Sequence, residues 1–268
     1  MRAPGLRAYA VIYLVFLYAP IILLPIFAFN DSRVVAFPLQ SFTTGWFRQM
    51  AADQVLQTAV GNSLIIAFST ATFATILGLF AARASVRYAW PGKVPVMGLI
   101  MVPLVLPEMI VAVALLTVLL SMGVSLSIFT IILGHVLICT PFAVTILSSA
   151  FQSLDRSLEE AAYDLGETPA STFRLIILPL VMPGVIASFL ICFTISIDEF
   201  IMSNFLGSGE PILSVYIFGN FRFPARVPSM MALGTVLVAV SITLLIIAEY
   251  FRRRGVARSG AKDTGGFL

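Results

Sequence analysis

The chain has 268 residues, of which 59% are hydrophobic and 11% are charged, and its mean hydropathy is +1.02. A soluble globular domain carries charge on about a quarter of its residues, so this composition excludes a soluble protein and predicts a membrane protein. The formal net charge of +3 does not indicate nucleic-acid binding, because the basic residues lie beside hydrophobic segments and act there as signals for membrane orientation.

Six hydrophobic segments are long enough to cross a bilayer, since a spanning helix needs about 20 mainly apolar residues. They are residues 8–29, residues 58–82, two crossings within residues 94–154 with a turn at 123–127, residues 176–206 and residues 227–248. The first segment is too long for a cleavable signal peptide and lacks a small-x-small cleavage site after it, so it is predicted to be a spanning helix. We therefore predict an all-α polytopic membrane protein in which residues 1–268 form one transmembrane domain.

The lysine and arginine residues indicate the orientation of the chain. Positive residues near helix ends are retained in the cytoplasm, so the side of a six-span chain that holds most of them is predicted to be cytoplasmic. The residues on that side are Arg2, Arg7, Arg83, Arg87, Lys93, Arg156, Arg174, Arg252, Arg253 and Arg254. Arg33, Arg48, Arg222 and Arg226 lie in the two longer loops on the other side and give a weaker contrary signal. Both termini and the polar segment 155–179 are thus predicted to be cytoplasmic.

Residue types that perform chemistry are few. Cys139 and Cys192 both lie inside predicted spans, so neither a disulfide framework nor a metal site is predicted, and one histidine, His135, cannot form a metal cluster. We expect His135 to make a structural hydrogen bond. The sequence has no glycine-rich loop of the kind that cradles phosphates, so the chain is predicted to bind no cofactor and to depend on a separate ATPase for any ATP hydrolysis.

Three carboxylates lie inside the predicted spans, where charge is costly and functional roles are common. Glu108 stands about a dozen residues into the third span, after Pro103 and Pro107, and the two prolines predict an interrupted helix that lines a cavity. The alternative for Glu108 is a pairing with a polar group on a neighbouring helix. Asp198 and Glu199 stand near the outer end of the fifth span. Adjacent helical residues point about 100° apart, so at most one of them is expected to face a central path squarely, and we favour Asp198.

The polar segment 155–179 carries the signals of two short helices. Ser157 followed by Glu160 matches a capping box, which predicts the start of the first helix. Its apolar residues fall on one predicted face, and Gly166 can adopt the left-handed conformation that ends a helix. The residues of that face are Leu158, Ala161, Ala162 and Leu165. Thr168 and Pro169 predict the start of a second helix, which is expected to run toward Pro179.

The same segment resembles the cytoplasmic loop of membrane subunits of binding-protein-dependent ABC importers. The matching pattern is Glu-Ala-Ala from Glu160, three residues, Gly166, nine residues, and Ile-x-Leu-Pro ending at Pro179. The resemblance implies a type I ABC importer permease fold, in which the first short helix inserts into a groove on an ATP-hydrolysing partner. The residues that it marks as coupling residues are Leu158, Glu160, Ala161, Ala162, Gly166, Leu178 and Pro179.

A wider resemblance links this chain to the second permease subunit of spermidine/putrescine importers. It rests on Leu-Gly-His-Val at 133–136, Pro-Phe at 141–142, the segment 158–166 and Ser-Ile-Asp-Glu at 196–199. It implies a bacterial inner-membrane protein that works with a homologous second permease, two copies of an ATPase that use ATP and Mg²⁺, and a periplasmic solute-binding protein. Polyamine importers often have Asp-Asp at 198–199, whereas this chain has Glu199 at the second position.

Acidic groups along a pathway favour a cationic cargo, because a desolvated ammonium needs a compensating charge or an aromatic face. The residues proposed for the pathway on this basis are Glu108, Asp198, Glu199 and the aromatic Trp46. Related permeases for opines, aminophosphonates and other small solutes share much of the pattern, so these cargoes are the alternatives to a polyamine.

Two functions of other classes compete with the importer. A secondary transporter could use Glu108 and Asp198 as proton or sodium sites, but six spans without an evident inverted repeat are few for such a carrier. It would also have no use for a docking loop. A membrane enzyme lacks a nucleophile, a metal cluster and a phosphate site in this sequence.

Overall fold

The computed structural model describes residues 4–259, together with the side chains of residues 8–243 and 246. The described chain is helical, and its non-helical pairing is one isolated antiparallel bridge between Asn30 and Phe42. Arg2 lies outside the described residues, as do the side chains of Arg7, Arg252, Arg253 and Arg254, so their part in the predicted orientation stays a prediction.

The helices follow one another in a simple order. They are α1 (Pro4–Ala28), α2 (Gly45–Ala51), α3 (Gln54–Arg87), α4 (Lys93–Val105), α5 (Glu108–Ser121), α6 (Ile128–Gln152), α7 (Ser157–Asp164), α8 (Pro169–Thr172), a π-helix (Phe173–Ile177), α9 (Leu178–Asp198), α10 (Ile201–Leu206), α11 (Leu213–Asn220), a 3₁₀-helix (Pro224–Arg226) and α12 (Val227–Ser259).

Five of these helical segments are long and apolar enough to cross a membrane, and a sixth crossing is available if a bent pair counts as one span. The bent pair is α4 with α5, which meet at an angle of 112° around Pro107. Proline cannot donate a backbone hydrogen bond, so the interruption predicted from Pro103 and Pro107 is confirmed at the second of the two. The turn predicted at 123–127 is also confirmed, with Gly123 at a φ of +71°.

Two boundaries differ from the prediction. The fifth span does not run to Leu206: α9 ends at Asp198, Glu199 is extended, and α10 begins at Ile201. The second short helix of the polar segment does not end at Pro179 either. It continues without a break through the π-helix into α9, so that residues 169–198 form one 30-residue helical segment.

The chain divides into two compact units. One comprises Met1–Gln54 and Ile217–Leu268, and the other comprises Val55–Tyr216. In the first unit α12 packs against α1 and α2. The side chain of Gln49 on α2 accepts a hydrogen bond from the Ser229 hydroxyl on α12, with an oxygen–oxygen distance of 3.3 Å.

The unit Val55–Tyr216 is built on the packing of α6 against α9. Small residues let the helices approach closely: a Cβ placed on Gly184 would lie 2.7 Å from the Cβ of Ala150, and one on Gly78 would lie 2.6 Å from that of Ala143. One buried cluster centres on the middle of α6, and a second includes Phe151 and lies beneath the polar segment 155–179. This unit therefore holds both the polar segment and the carboxylates of the predicted pathway.

Candidate functional site

The first helix of the polar segment starts differently from the prediction. Ser157 and Glu160 form no capping box, since the residue before the helix is Arg156 and no side-chain cap bond forms there. Instead, the backbone N–H of Ser157 donates to Oδ1 of Asp155 over 3.0 Å. This bond stabilises the ionised carboxylate and lowers the pKa of Asp155 below its usual value. The side chain of Asp155 therefore caps the Ser157 amide, and the predicted Ser157–Glu160 pair does not form.

Helix α7 has one face turned into the chain and one turned outward. Ala162 is 4% exposed and Glu159 is 8% exposed, so both belong to the inner face. The outer face carries leucine side chains at its edges and the small side chain of Ala161 between them. Leu158, Glu160 and Ala161 are exposed there, and Leu165, the residue after α7, is 85% exposed. The other exposed residues of α7 are Ser157, Tyr163 and Asp164. The predicted single face of four apolar residues is therefore split: Ala162 packs inside, because at its position α7 rests on the rest of the unit.

The turn after α7 follows the prediction. Gly166 has a φ of +86°, which an L-residue adopts only with strain, and the N–H of Glu167 reaches back to the carbonyl of Ala162. Thr168 caps the second helix by accepting from the backbone N–H of Ser171 over 3.3 Å, and Pro169 occupies its first turn. Leu178 and Pro179 lie at the start of α9, just beyond the π-helix.

An ion pair that the sequence analysis did not identify ties α7 to α3. Nε of Arg87 lies 2.9 Å from Oε1 of Glu159, and the two side chains are 9% and 11% exposed. The N–H of Nε does not point along this contact, so the pair is ionic rather than a directed hydrogen bond. Nη2 of Arg87 donates to the carbonyl oxygen of Leu154 over 3.0 Å. No local pattern predicts such a pair, because its partners are far apart in the sequence.

The three predicted carboxylates come together around one cavity of about 500 Å³. Glu108 enters it from the first turn of α5, directly after the bend, and Asp198 and Glu199 enter it from the end of α9. Glu108 and Glu199 thus line the same cavity although they lie on different helices. The rest of the lining is mostly apolar and consists of Pro103, Leu104, Leu106, Ile138, Phe142, Thr194 and Ile195.

The two neighbouring carboxylates have different environments. Glu199 is buried, and its Oε1 accepts the backbone N–H of Met202 over 2.7 Å, so it caps α10. Its carbonyl oxygen accepts from the hydroxyls of Ser203 and Ser214 at 2.9 and 2.8 Å. Asp198 is exposed and lines the cavity. Of the pair, Asp198 is therefore the carboxylate open to a ligand, while Glu199 also holds the helix break in place.

Trp46 lies in the other compact unit, on α2. Its indole N–H donates to the carbonyl oxygen of Asn30 over 2.9 Å, which gives the ring a structural partner. The cavity lining described above does not include Trp46. Its predicted place in the pathway stays a prediction.

His135 and the two cysteines of the spans have structural partners. His135 is buried and its two ring nitrogens lie 2.7 Å from Oγ of Ser196 and 3.1 Å from Oγ of Ser203, which confirms the expected hydrogen bonding. Cys139 and Cys192 are buried, and each thiol donates to the other residue's carbonyl oxygen. Among the described residues, no three His, Cys, Asp or Glu side chains are arranged to hold a metal ion.

A comparison with protein families decides the class of the chain. The model of the family described as "Binding-protein-dependent transport system inner membrane component" matches residues 74–255, which contain the polar segment and the whole acidic cavity. The chain belongs to this family. The resemblance seen in the segment 155–179 is thereby confirmed, and the protein is a permease subunit of an ABC importer.

Two named permeases are similar to this chain in sequence. The putrescine transport system permease protein PotI of Escherichia coli (strain K12) is 34% identical over 262 residues, covering 95% of this chain and 92% of PotI. The spermidine/putrescine transport system permease protein PotC of Shigella flexneri is also 34% identical, over 252 residues, covering 94% of this chain and 93% of PotC. These relatives and the membrane-spanning helices support a multi-pass protein of a bacterial inner membrane.

Solved structures support the fold of this permease. A chain of a bacterial ABC transporter involved in the import of the acidic polysaccharide alginate matches 94% of this chain and 99% of its own length, with a TM-score of 0.73 and 17% identity. A chain of the MetNI methionine ABC transporter matches 75% of this permease with a TM-score of 0.59 and 18% identity. The predicted all-α ABC importer permease fold is confirmed.

Proposed function

We propose that this permease carries a polyamine, putrescine or spermidine, from the periplasm to the cytoplasm by alternating access. The observation that carries the proposal is the cavity of about 500 Å³, in which Glu108, Asp198 and Glu199 converge beside an interrupted helix. A polyamine has ammonium groups separated by methylene chains. Carboxylates spaced around an otherwise apolar lining suit both parts of such a molecule, because the ammonium groups need charge and the methylenes need apolar contact.

The relatives add an independent reason for this cargo. Both PotI and PotC are named as putrescine or spermidine/putrescine permeases, and each is 34% identical to this chain over almost its entire length. Glu199 is one methylene longer than the aspartate common at this position in polyamine permeases. In this chain the extra reach serves the cap on α10, where Oε1 accepts the N–H of Met202, and this leaves Asp198 as the carboxylate that meets the cargo.

The outer face of α7 is the proposed docking site for a separate ATPase. Leu158, Ala161 and Leu165 present exposed apolar surface there, and Glu160 stands exposed beside them. In this proposal two ATPase copies use ATP and Mg²⁺, one on this permease and one on a homologous second permease. Gly166, Leu178 and Pro179 set the shape of the loop, and Ala162 supports it from inside.

The orientation follows from the same assembly. An ATPase works where ATP is, so the segment 155–179 and both termini are placed in the cytoplasm, in agreement with the distribution of lysine and arginine. A periplasmic solute-binding protein would deliver cargo on the opposite side. ATP binding would close the ATPase dimer, move the α7 helices of the two permeases and open the cavity toward the binding protein. Residues 1–268 would act in this cycle as one permease domain.

Uptake of labelled putrescine and spermidine tests the cargo. Cells that lack this chain and any redundant polyamine importer are complemented with the intact permease, with Asp198→Asn, or with Asp31→Asn, a matched change of an exposed aspartate outside the cavity. A charge-assisted hydrogen bond contributes about 1.5–3 kcal/mol, so loss of the Asp198 charge is expected to raise KM by about tenfold or more.

The intact permease and Asp31→Asn should both restore uptake. Uptake that does not depend on the chain would contradict a polyamine cargo and turn attention to opines and aminophosphonates. Full activity of Asp198→Asn, in cells where the intact chain is required, would instead remove Asp198 from the pathway and leave the cargo assignment standing.

A further inference from the structure

The last turns of α3 hold both short helices of the segment 155–179. Arg83 and Arg87 stand four residues apart on α3, so their side chains project from the same face of that helix. Arg87 meets Glu159 on α7 at 2.9 Å, and the guanidinium of Arg83 lies 4.2 Å from the ring centroid of Phe173 in the π-helix. One helix thus contacts the loop at two points, one on each side of the turn at Gly166.

We propose that Arg83 and Arg87 are positioning residues that bind α3 to the segment 155–179, called the coupling loop below, so that a push on α7 moves this spanning helix. This arrangement, formed by Arg83, Arg87, Glu159 and Phe173, is called the arginine clamp below. The inference rests on the proposed function, because it assigns a route, beside the continuous helical segment Pro169–Asp198, by which movement of a docked ATPase reaches the membrane.

The contacts of Arg87 are those of a firm attachment. The guanidinium pairs with Glu159 and also donates to the carbonyl of Leu154, two residues after α6. The carbonyl of Arg87 itself accepts from Nη2 of Arg156. Both partners of the ion pair are almost fully buried, so water cannot replace either of them at low cost. Separating α7 from α3 would leave two uncompensated charges, and the two helices are therefore expected to move together.

The clamp is connected to the cavity through the spanning helices. Closer to the start of α3, Oγ1 of Thr75 lies 3.4 Å from the hydroxyl oxygen of Ser188 on α9. The ring of Phe68 meets that of Phe189 edge to face. Helix α9 ends at Asp198, which lines the cavity. A displacement of α3 that begins at the arginine clamp is thus passed by direct side-chain contacts to the helix that carries the cavity carboxylate.

Chemical labelling of the cavity tests the clamp without reference to the cargo. Thr194→Cys introduces a thiol at an exposed position of the cavity lining, while the two native cysteines are buried. The complete importer, purified with its partner subunits and reconstituted, is alkylated with a maleimide without nucleotide and after trapping with ATP and vanadate. In this parent the ratio of the two labelling rates reports how strongly the nucleotide state moves the cavity.

Variants that break the clamp should bring the ratio of the two labelling rates close to one while ATP hydrolysis continues. Arg87→Met is expected to reduce the nucleotide effect on labelling by about fivefold or more, as loss of a typical coupling between two sites does. Arg83→Leu should give a smaller reduction. The charge exchange Arg87→Glu with Glu159→Arg should restore part of the ratio, which a merely structural loss would not allow. Lys93→Gln, which removes a positive charge at the start of α4, should change nothing.

Each outcome decides between the hypotheses. If Arg87→Met does not assemble, Glu159→Gln, which keeps the shape of the side chain, provides the same measurement. Nucleotide-dependent labelling that persists in an assembled clamp variant would contradict the proposed role of the clamp. It would leave the proposal of ATP-driven import standing. If labelling of the Thr194→Cys importer with an intact clamp does not change with nucleotide, both ATP-driven coupling and the role of the clamp are contradicted.

Discussion

Two regions of the unit Val55–Tyr216 differ in whether their helices are broken or continuous. Around the cavity, helices break: α4 and α5 meet at 112°, and α9 stops at Asp198 before α10 begins. At the coupling loop, helical structure persists from Pro169 to Asp198 across a change of helix type. The chain thus interrupts its helices where polar groups face a cavity and keeps them continuous where movement has to be carried.

The physical reason lies in what each region must satisfy. Backbone groups freed at a helix break need polar partners, and at membrane depth only a cavity or neighbouring protein groups supply them. The break after α9 is filled in this way, since the hydroxyls of Ser203 and Ser214 bind the carbonyl of Glu199. A continuous helix satisfies most of its backbone groups internally. It behaves as a stiff rod, and that suits the segment between α7 and the cavity.

The largest expected effect is at the tip of the coupling loop. Leu165→Asp places a charge on the exposed leucine that directly follows α7, where the proposed partner would bury it. We expect uptake to be lost and the amount of copurified ATPase to fall at least tenfold, because a change at an interface hot spot costs about 2 kcal/mol or more.

Copurification and uptake measure this effect. Val34→Asp, an equivalent change at an exposed residue of the loop after α1, serves as the matched control and should retain the ATPase. Normal assembly and uptake of Leu165→Asp would contradict the docking face, and with it the functional contrast between the two regions.

A moderate effect is expected from the helix contact below the loop. A Cβ on Gly78 would lie 2.6 Å from the Cβ of Ala143 and 3.0 Å from its backbone carbonyl carbon, so Gly78→Ala must push α3 away from α6. Overpacking of this kind costs about 1–3 kcal/mol, and the Tm of the purified permease should fall.

The same helix provides a control for the glycine. Gly61, also on α3, has nothing within 4 Å of a built Cβ, so Gly61→Ala gains helix propensity of roughly 1 kcal/mol without a clash. Its Tm should be unchanged or higher. Equal Tm values for the two variants would mean that the loop end of α3 is not closely packed.

The smallest effect concerns acid sensitivity at the start of α7. The hydrogen bond from Ser157 lowers the pKa of Asp155 in the folded state, so the stability that it contributes is present above the unfolded pKa of about 3.9. It is lost as the pH falls through the lower folded value. Hydrogen exchange at the Ser157 amide, corrected for intrinsic rates, should therefore lose protection below about pH 4.

Asp155→Asn separates the charge from the acceptor. Asparagine keeps a side-chain oxygen for the Ser157 amide but cannot titrate, so its protection should be lower at neutral pH and independent of pH in this window. Asp155→Ala should lose the protection throughout. A wild-type amide whose protection ignores pH would show that the carboxylate does not support the start of α7.

Much of the fold can be predicted from the sequence because a bilayer restricts the choices. The helical crossings follow from hydropathy, and the bend at Pro107 follows from the missing N–H of proline. The end of α9 does not. The apolar sequence continues to Leu206, and the helix stops at Asp198 because the Glu199 side chain caps the Met202 amide, a bond that depends on the folded arrangement.

The candidate site is predictable to a similar degree. Gly166, Thr168 and the three carboxylates were identified from local patterns, and the structure places the carboxylates around one cavity. The predicted start of α7 is wrong, because Asp155 and Ser157 both offer capping oxygens within three residues and local sequence cannot choose between them. No local pattern predicts the arginine clamp, because its partners meet only in the folded unit.

The π-helix at Phe173–Ile177 determines how the coupling loop is rotated about the axis of α9. Pro179 has no N–H for the carbonyl of Leu175, and just before it the N–H of Leu178 bonds to Phe173, five residues back instead of four. Such a widened turn holds one residue more than a plain α-helix. Deleting that extra residue would restore regular α-helical winding and leave α7 close to its present direction, whereas deleting a residue from the regular helix after Pro179 would turn everything before it by about 100°. Such a shortened permease would keep its docking residues, yet α7 would point away from its present direction.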